Sequence, residues 1–237
     1  SPEMKPYTPE LLHLGGLLKK REGGDGFYDT FRHRVMFPIR DESGKTIAFG
    51  GRVLPGSDNP AKYLNSPETP LFSKSRCAFG LDLARTRIVE TRTAIVVEGY
   101  TDVIMAHQYD VRNVVSVLGT ALTEHHISLL KRFADKIVLL FDADAAGDAA
   151  AERSLESYLS APIEIAIATM PEGKDPDEVL LELGKVGFEA IIQKAETPID
   201  FLFKRIRKQF NSTELSVTDR RTIQDRFLNQ LAELLSA

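Results

Sequence analysis

Residues 93–170 constrain the architecture more than any other stretch. Four short apolar runs, at 94–97, 113–117, 136–141 and 163–168, are separated by segments of helical character. Apolar runs without polar alternation are strands buried on both faces. Strands that alternate with helices build a parallel sheet covered on both sides. The intervening pieces fit this plan. One helix runs from just after Glu98 to about Tyr109. A second is capped at Thr123 and sets Ile127, Leu130 and Phe133 on one face, and an Ala-rich helix follows to about Leu159. The expected fold class is α/β, a Rossmann-like parallel sheet flanked by helices.

The flanks read differently. Residues 34–40 and 46–54 make a β-hairpin around the turn signal Asp41-Glu42-Ser43-Gly44. Pro38 places its strand at an edge or at a bend. Residues 55–76, rich in Pro, Ser and Asn, read as loop. Residues 1–26 form a lead-in with apolar pieces at Leu11-Leu12 and Leu17-Leu18, ending in a flexible break at Gly23-Gly24-Asp25-Gly26. From about 197 the chain is helical: Leu202, Ile206 and Phe210 keep helical spacing. So do Ile223, Phe227, Leu231 and Leu234, after a cap at Thr218. The expected domains are a basic N-terminal α/β subdomain at 1–92, the parallel sheet at 93–196 and a helical bundle at 197–237.

Composition excludes several classes. No apolar run approaches the ~20 residues that span a bilayer. The single Cys77 cannot form an internal disulfide or a cysteine-rich zinc site. The net charge of −4 hides a gradient: residues 1–92 carry 15 Lys+Arg against 11 Asp+Glu, residues 93–200 carry 8 against 19, and residues 201–237 carry 7 against 4. An acidic centre between basic flanks suits a cation-loaded site beside a surface for a polyanion, and it also fits ordinary solvated charge.

The acidic centre is organised. In open parallel sheets, sites form beyond the carboxyl ends of strands. Glu98-Gly99-Tyr100-Thr101-Asp102 follows the first strand, Asp142-Ala143-Asp144 follows the third, and Lys174-Asp175-Pro176-Asp177-Glu178 follows the fourth. Carboxylates held this close stay ionised together only when cations neutralise them. Oxygen ligands without His or Cys select Mg²⁺, Mn²⁺ or Ca²⁺. An isolated D-x-D also fits an acidic turn capping the next helix; three such clusters after strands of one sheet favour the metal reading.

The string Val-Val-Glu98-Gly-Tyr-Thr-Asp102-Val, followed by Phe-Asp142-Ala-Asp144-Ala-Ala-Gly, resembles the TOPRIM domain of topoisomerases and DnaG-type primases. The flanks narrow this. Phe31–Arg40, Phe49-Gly50-Gly51-Arg52-Val53-Leu54, the stretch 62–74 (Lys-Tyr-Leu-Asn-Ser-Pro-Glu-Thr-Pro-Leu-Phe-Ser-Lys) and Gly173-Lys174-Asp175-Pro176-Asp177-Glu178 resemble the bacterial DnaG primase catalytic core. The resemblance runs from about residue 8 to 205, more weakly to the end. It implies divalent-metal-dependent synthesis of short RNA primers on a single-stranded DNA template from ribonucleoside triphosphates. Glu98, Asp142 and Asp144 would be catalytic and, with Asp175, would hold two or three Mg²⁺ or Mn²⁺ ions. Asp102 and Asp177 would support these ligands or bind a further ion. Arg34, Arg52, Lys62 and Lys74 would grip template, hybrid and nucleotide phosphates, and Asn65 would help hold the nucleotide. Gly50 and Gly51 would let backbone approach a ligand or mark a strand bulge. The zinc-binding and helicase-docking domains of complete primases would lie outside this chain, so no zinc and no helicase contact is expected of it. A monomeric cytoplasmic protein of the bacterial replisome is the implied setting.

Other residues fit blander roles. Cys77 is a packed thiol, His125-His126 cap or coat a helix, and the 201–210 stripe is core. Tyr100 invites comparison with a topoisomerase nucleophile, but that tyrosine lies outside the TOPRIM motif. The alternatives are another TOPRIM enzyme, a topoisomerase or nuclease, or a truncated fragment that binds DNA or nucleotide without turnover.

Overall fold

The structure is a computed structural model that describes residues 7–57, 60–119, 121–141, 158, 161–171, 173–210 and 216–236. Among these residues the strands form three sheets. Helix α1 (Pro9–Leu14) leads into a small antiparallel pair, β1 (Leu18–Lys20) with β2 (Phe27–Asp29). The expected flexible break at 23–26 is therefore a hairpin turn: Gly23 and Gly26 take positive φ, and Arg21 N–H donates to the Gly26 carbonyl at 3.1 Å. Strands of three residues leave too little periodicity to be read from sequence.

Strands β3 (Arg34–Arg40) and β4 (Thr46–Val53) form the expected hairpin, and β3 is an edge strand, which Pro38 tolerates because it has no N–H to give. The stretch read as loop contributes a third strand, β5 (Tyr63–Asn65), and a 3₁₀ turn at Lys74–Arg76.

The second half is the expected parallel sheet. After α2 (Leu81–Thr91) come β6 (Thr93–Val97), α3 (Tyr100–Gln108), β7 (Val114–Ser116), α4 (Glu124–Lys131), β8 (Lys136–Phe141) and β9 (Glu164–Thr169). The spatial order is β7-β6-β8-β9 and every pairing is parallel. Helices α5 (Pro176–Ile192), α6 (Pro198–Lys208) and α7 (Val217–Ser236) follow. The predicted helix after Asp142, to about Leu159, lies outside the described residues except at Tyr158.

Strand geometry sends alternate side chains to opposite faces. Ala94, Val96, Ile137, Leu139, Ile165 and Ile167 join one core with α2, α4, α6 and α7. Ile95, Val97, Val138, Leu140, Ala166 and Ala168 join the other, with α3, α5 and the small-sheet residues Ile39 and Ala48. The second core thus fastens the antiparallel sheet to the parallel one. Phe201, Leu202 and Ile206 are buried as the stripe predicts, while Phe203 stays half-exposed edge-on to Phe227. The cap of α7 is Ser216, not Thr218. The Ser216 hydroxyl accepts from Asp219 N–H at 3.0 Å, and the Asp219 carboxylate accepts from Ser216 N–H at 3.1 Å, a reciprocal capping pair.

Candidate metal centre and nucleic-acid surface

Glu98 directly follows β6 and is exposed at the carboxyl end of the sheet. Its backbone is fixed from the next strand: the Ser116 hydroxyl, fully buried, donates to the Glu98 carbonyl at 2.6 Å and accepts from Leu118 N–H at 3.1 Å. Leu118 is buried at φ +62, a left-handed conformation that a leucine adopts only where its surroundings impose it. On the other side of β6, Val96 pairs with Leu139 of β8, and the chain leaves β8 at Phe141. Asp142 and Asp144 follow and lie outside the described residues. The next strand over, β9, leads to Asp175 at the start of α5.

Two of the expected carboxylates serve helix starts. Asp102 Oδ2 accepts from Gly99 N–H at 2.9 Å and closes the first turn of α3. Asp177 Oδ1 accepts from Glu178 N–H at 3.0 Å, and the Glu178 carboxylate accepts from Asp175 N–H at 3.3 Å. Lys174, just ahead of α5, pairs with Glu182 of that helix. Among the described residues no three His, Cys, Asp or Glu side chains converge to hold an ion. Among the described residues, Glu98, Asp102, Asp175 and Asp177 offer carboxylate oxygens at this end of the sheet, the hard ligands that fit Mg²⁺ or Mn²⁺.

The basic side lies on the antiparallel sheet. Arg52 and Lys62 are exposed, line a shallow cleft of about 470 Å³, and both stand over the Tyr63 ring, at 5.7 and 6.0 Å from its centroid. Tyr63 is 39 % exposed. A ring flanked by two cations offers a stacking face with phosphate contacts beside it, and the sequence had not marked it. Arg34 is half-buried and donates to the carbonyls of Gly51 and Lys62, each at 3.2 Å, so it also braces β4 against the chain entering β5. Lys19, Tyr28, Thr30, Arg32 and Arg34 line a second cleft of about 200 Å³. The Arg-x-Arg spacing of 32 and 34 could have drawn attention to it; Lys19 reaches it only through the unforeseen hairpin.

Asn65 joins the two halves, its side-chain amide donating to the Leu118 carbonyl at 3.3 Å. Tyr100, two residues past Glu98, does so more bluntly. Its buried ring stacks on Phe37 at 5.2 Å and stands edge-on to Phe79 at 4.9 Å. A Cβ on Gly50 would sit 2.4 Å from its hydroxyl and 2.5 Å from Cζ. Gly51 is crowded likewise by Arg34 and Phe31. These glycines therefore make room for the chain's own side chains, and the strand irregularity falls at Ile39/Arg40 instead. Burial pushes the Tyr100 hydroxyl well above the ordinary tyrosine value, which suits packing rather than nucleophilic attack. Burial likewise pushes the Cys77 thiol up to about 12, so it is an inert packed group. His126 is fully buried at the first turn of α4, and burial lowers its pKa.

A parallel sheet with carboxylates after its strand ends, fastened to an antiparallel sheet that carries Arg34, Arg52 and Lys62, has the plan of a Toprim-type domain joined to a basic unit. Residues 95–180 match the family described as Toprim-like, and residues 2–85 match the DNA primase catalytic core, N-terminal domain. The DNA primase of Synechocystis is 43 % identical over 217 residues, which are 88 % of this chain and 34 % of that protein. The crystal structure of a DNA primase domain from Pseudomonas aeruginosa is 37 % identical with a TM-score of 0.79, covering 93 % of this chain and 75 % of that one. A DnaG primase catalytic domain bound to ssDNA is 35 % identical with a TM-score of 0.75, covering 97 % of this chain and 79 % of that one. The chain belongs to the bacterial DnaG-type DNA primase family and corresponds to its catalytic core. It spans about a third of the length of the curated relatives it matches. Toprim domains and primase cores generally use divalent metals. Among the described residues no helix is long and apolar enough to cross a membrane.

Proposed function

We propose that this chain is the polymerising core of a primase, joining ribonucleotides into short RNA primers on single-stranded DNA in the bacterial cytoplasm. The observation that carries this is the strand order. Glu98, the Asp142/Asp144 pair and Asp175 come after β6, β8 and β9, which lie side by side and run the same way, next to an antiparallel sheet carrying Arg52, Lys62 and Tyr63. The ssDNA-bound relative supports a DNA template as partner.

In this reading Glu98, Asp142, Asp144 and Asp175 hold two or three Mg²⁺ or Mn²⁺ ions. Such ions, held by these carboxylates, would supply charge stabilisation for the attacking and leaving oxygens of an in-line displacement. Asp102 and Asp177 set the starts of α3 and α5 and so orient the acidic turns, supporting these ligands or binding a further ion. Arg34, Arg52, Lys62 and Lys74 bind phosphates of template, primer and triphosphate, which positions them without reading sequence. Tyr63 offers its face to a base, and Asn65 holds the nucleotide. The division at 1–92, 93–196 and 197–237 assigns the basic surface, the metals and a supporting helical bundle to separate units of a monomer.

The test incubates the chain with single-stranded DNA, four ribonucleotides and Mn²⁺ or Mg²⁺, beside Asp142→Asn. RNA product from the parent chain and none from the variant is the expected result. A pre-annealed primer that neither protein extends would overturn the proposal, because extension needs the metals and not start-site selection.

A further inference from the structure

His126 is not a metal ligand or a surface residue; it ties two distant segments together. Its Nε2 lies 2.9 Å from the Lys74 carbonyl and 3.2 Å from the Cys77 carbonyl. Two carbonyls can only accept, so Nε2 carries the proton. Nδ1 is then an acceptor, and it faces Thr123 N–H at 3.2 Å. The Thr123 hydroxyl donates to the Ser75 carbonyl at 2.7 Å and accepts from His126 N–H at 3.2 Å. The first turn of α4 therefore holds the carbonyls of Lys74, Ser75 and Cys77. They belong to the single 3₁₀ turn Lys74–Arg76 and the residue after it; the Glu68 carboxylate accepts from Lys74 N–H at 2.9 Å, and α4 holds the carbonyl side.

We infer that His126 is a positioning residue for Lys74: the buried imidazole fixes the backbone from which the half-buried Lys74 side chain reaches a nucleotide triphosphate. The inference rests on the reading of Lys74 as a phosphate-binding residue. An ammonium on a four-carbon stem is a point charge whose contribution depends on where its stem starts. The ring does two separable things. Nδ1 completes the helix cap, and Nε2–H holds the lysine's turn.

Two substitutions split these roles. His126→Asn keeps an acceptor at the δ position for Thr123 N–H and has nothing at the ε position. His126→Gln places an amide nitrogen at the ε position, able to donate to both carbonyls, and loses the δ acceptor. Thermal midpoints and binding of a fluorescent ATP with Mn²⁺ are measured for the parent chain, both variants and Lys74→Ala. A capping role alone predicts that ATP binding tracks the midpoint. The positioning role predicts that His126→Gln binds ATP within about threefold of the parent, while His126→Asn loses about tenfold, as Lys74→Ala does, whichever variant melts lower. If Lys74→Ala weakens ATP and the two His126 variants bind alike, the inference is overturned and the reading of Lys74 stands. If Lys74→Ala binds ATP as the parent does, both are overturned. Should His126→Asn not fold, His126→Gln decides alone: binding within about threefold of the parent despite a lower midpoint supports positioning, and a loss of about tenfold, as in Lys74→Ala, overturns it.

Discussion

Asn65 and Leu118, 53 residues apart, are joined by a 3.3 Å hydrogen bond from the side-chain amide to the backbone carbonyl. Leu118 N–H in turn donates to the Ser116 hydroxyl, and that hydroxyl donates to the Glu98 carbonyl. A chain of bonds thus runs from a proposed nucleotide contact to a proposed metal ligand. The Leu118 carbonyl admits only a donor, so the amide oxygen of Asn65 is turned the other way. Asn65→Asp sets a carboxylate against that carbonyl. The expected outcome is nucleotide binding weakened by about tenfold, roughly 1.4 kcal/mol, checked by titration with ATP and Mn²⁺. Asn65→Ala loses the bond without the repulsion and costs about 1 kcal/mol of stability.

Ser116→Ala strands the buried Leu118 N–H and takes the Ser116 donor away from the Glu98 carbonyl. A stranded buried N–H costs about 1–3 kcal/mol. The expected result is a lower midpoint in denaturant together with slower nucleotide incorporation. Unchanged incorporation at reduced stability would separate Ser116 from the positioning of Glu98.

Gly50→Ala drives a methyl into the Tyr100 ring. Overpacking of this kind costs about 1–3 kcal/mol, or roughly 2–12 °C in a chain this size. Tyr100→Phe is expected to be neutral or stabilising, because among the described residues the buried Tyr100 hydroxyl has no hydrogen-bond partner. Thermal melts of both variants check the pair; a large loss in Tyr100→Phe would reveal a partner for the hydroxyl.

Binding of a labelled single strand should fall steeply with salt. Each cation removed from the surface should flatten the plot of log K against log salt by about 0.7. Arg52→Ala and Lys62→Ala test this cleanly. Arg34→Ala should also cost stability, because Arg34 holds two carbonyls. Tyr63→Ala should weaken binding by about 1–3 kcal/mol with the salt slope unchanged, the signature of a stacked base rather than a phosphate.

His126 and His107 both have pKa values lowered from 6.5, first by burial. His107 Nε2 also meets the Val114 carbonyl at 2.9 Å, with Arg112 nearby disfavouring charge and Asp82 favouring it. A depressed histidine binds its proton more readily when unfolded, so stability is full above about pH 6.5 and falls as pH drops below it. Urea midpoints between pH 8 and 5 should show this decline, and His126→Gln should remove its own share. A flat profile would mean that neither imidazole is held neutral by the fold.

The parallel sheet was legible because each of its strands is an uninterrupted apolar run, which only burial on both faces explains. The hairpin at 34–53 was legible from its turn residues. Strands β1, β2 and β5 were not, since three residues apiece carry no periodicity. The cap of the last helix was in fact written in the chain. Ser216 has an acid three residues on, at Asp219, whereas Thr218 has Arg221 there. The strand-end rule picked out the carboxylates, and the same rule hid that Asp102 closes a helix turn. What the sequence did not show, Arg52 over the Tyr63 ring and Tyr100 filling the space beside Gly50, comes from the pairing of β4 with the unforeseen β5 and from a contact that spans fifty residues of chain.

The pairing of Val96 with Leu139 has a further consequence. The chain leaves β6 and β8 from neighbouring rungs of one backbone ladder, whose strands stand about 4.8 Å apart. The gauge between those two exits is therefore set by main-chain amides, which no substitution other than proline removes. Loops around it can vary without moving that gauge. The ruler itself is peptide, and it is common to any sequence that keeps these two strands side by side.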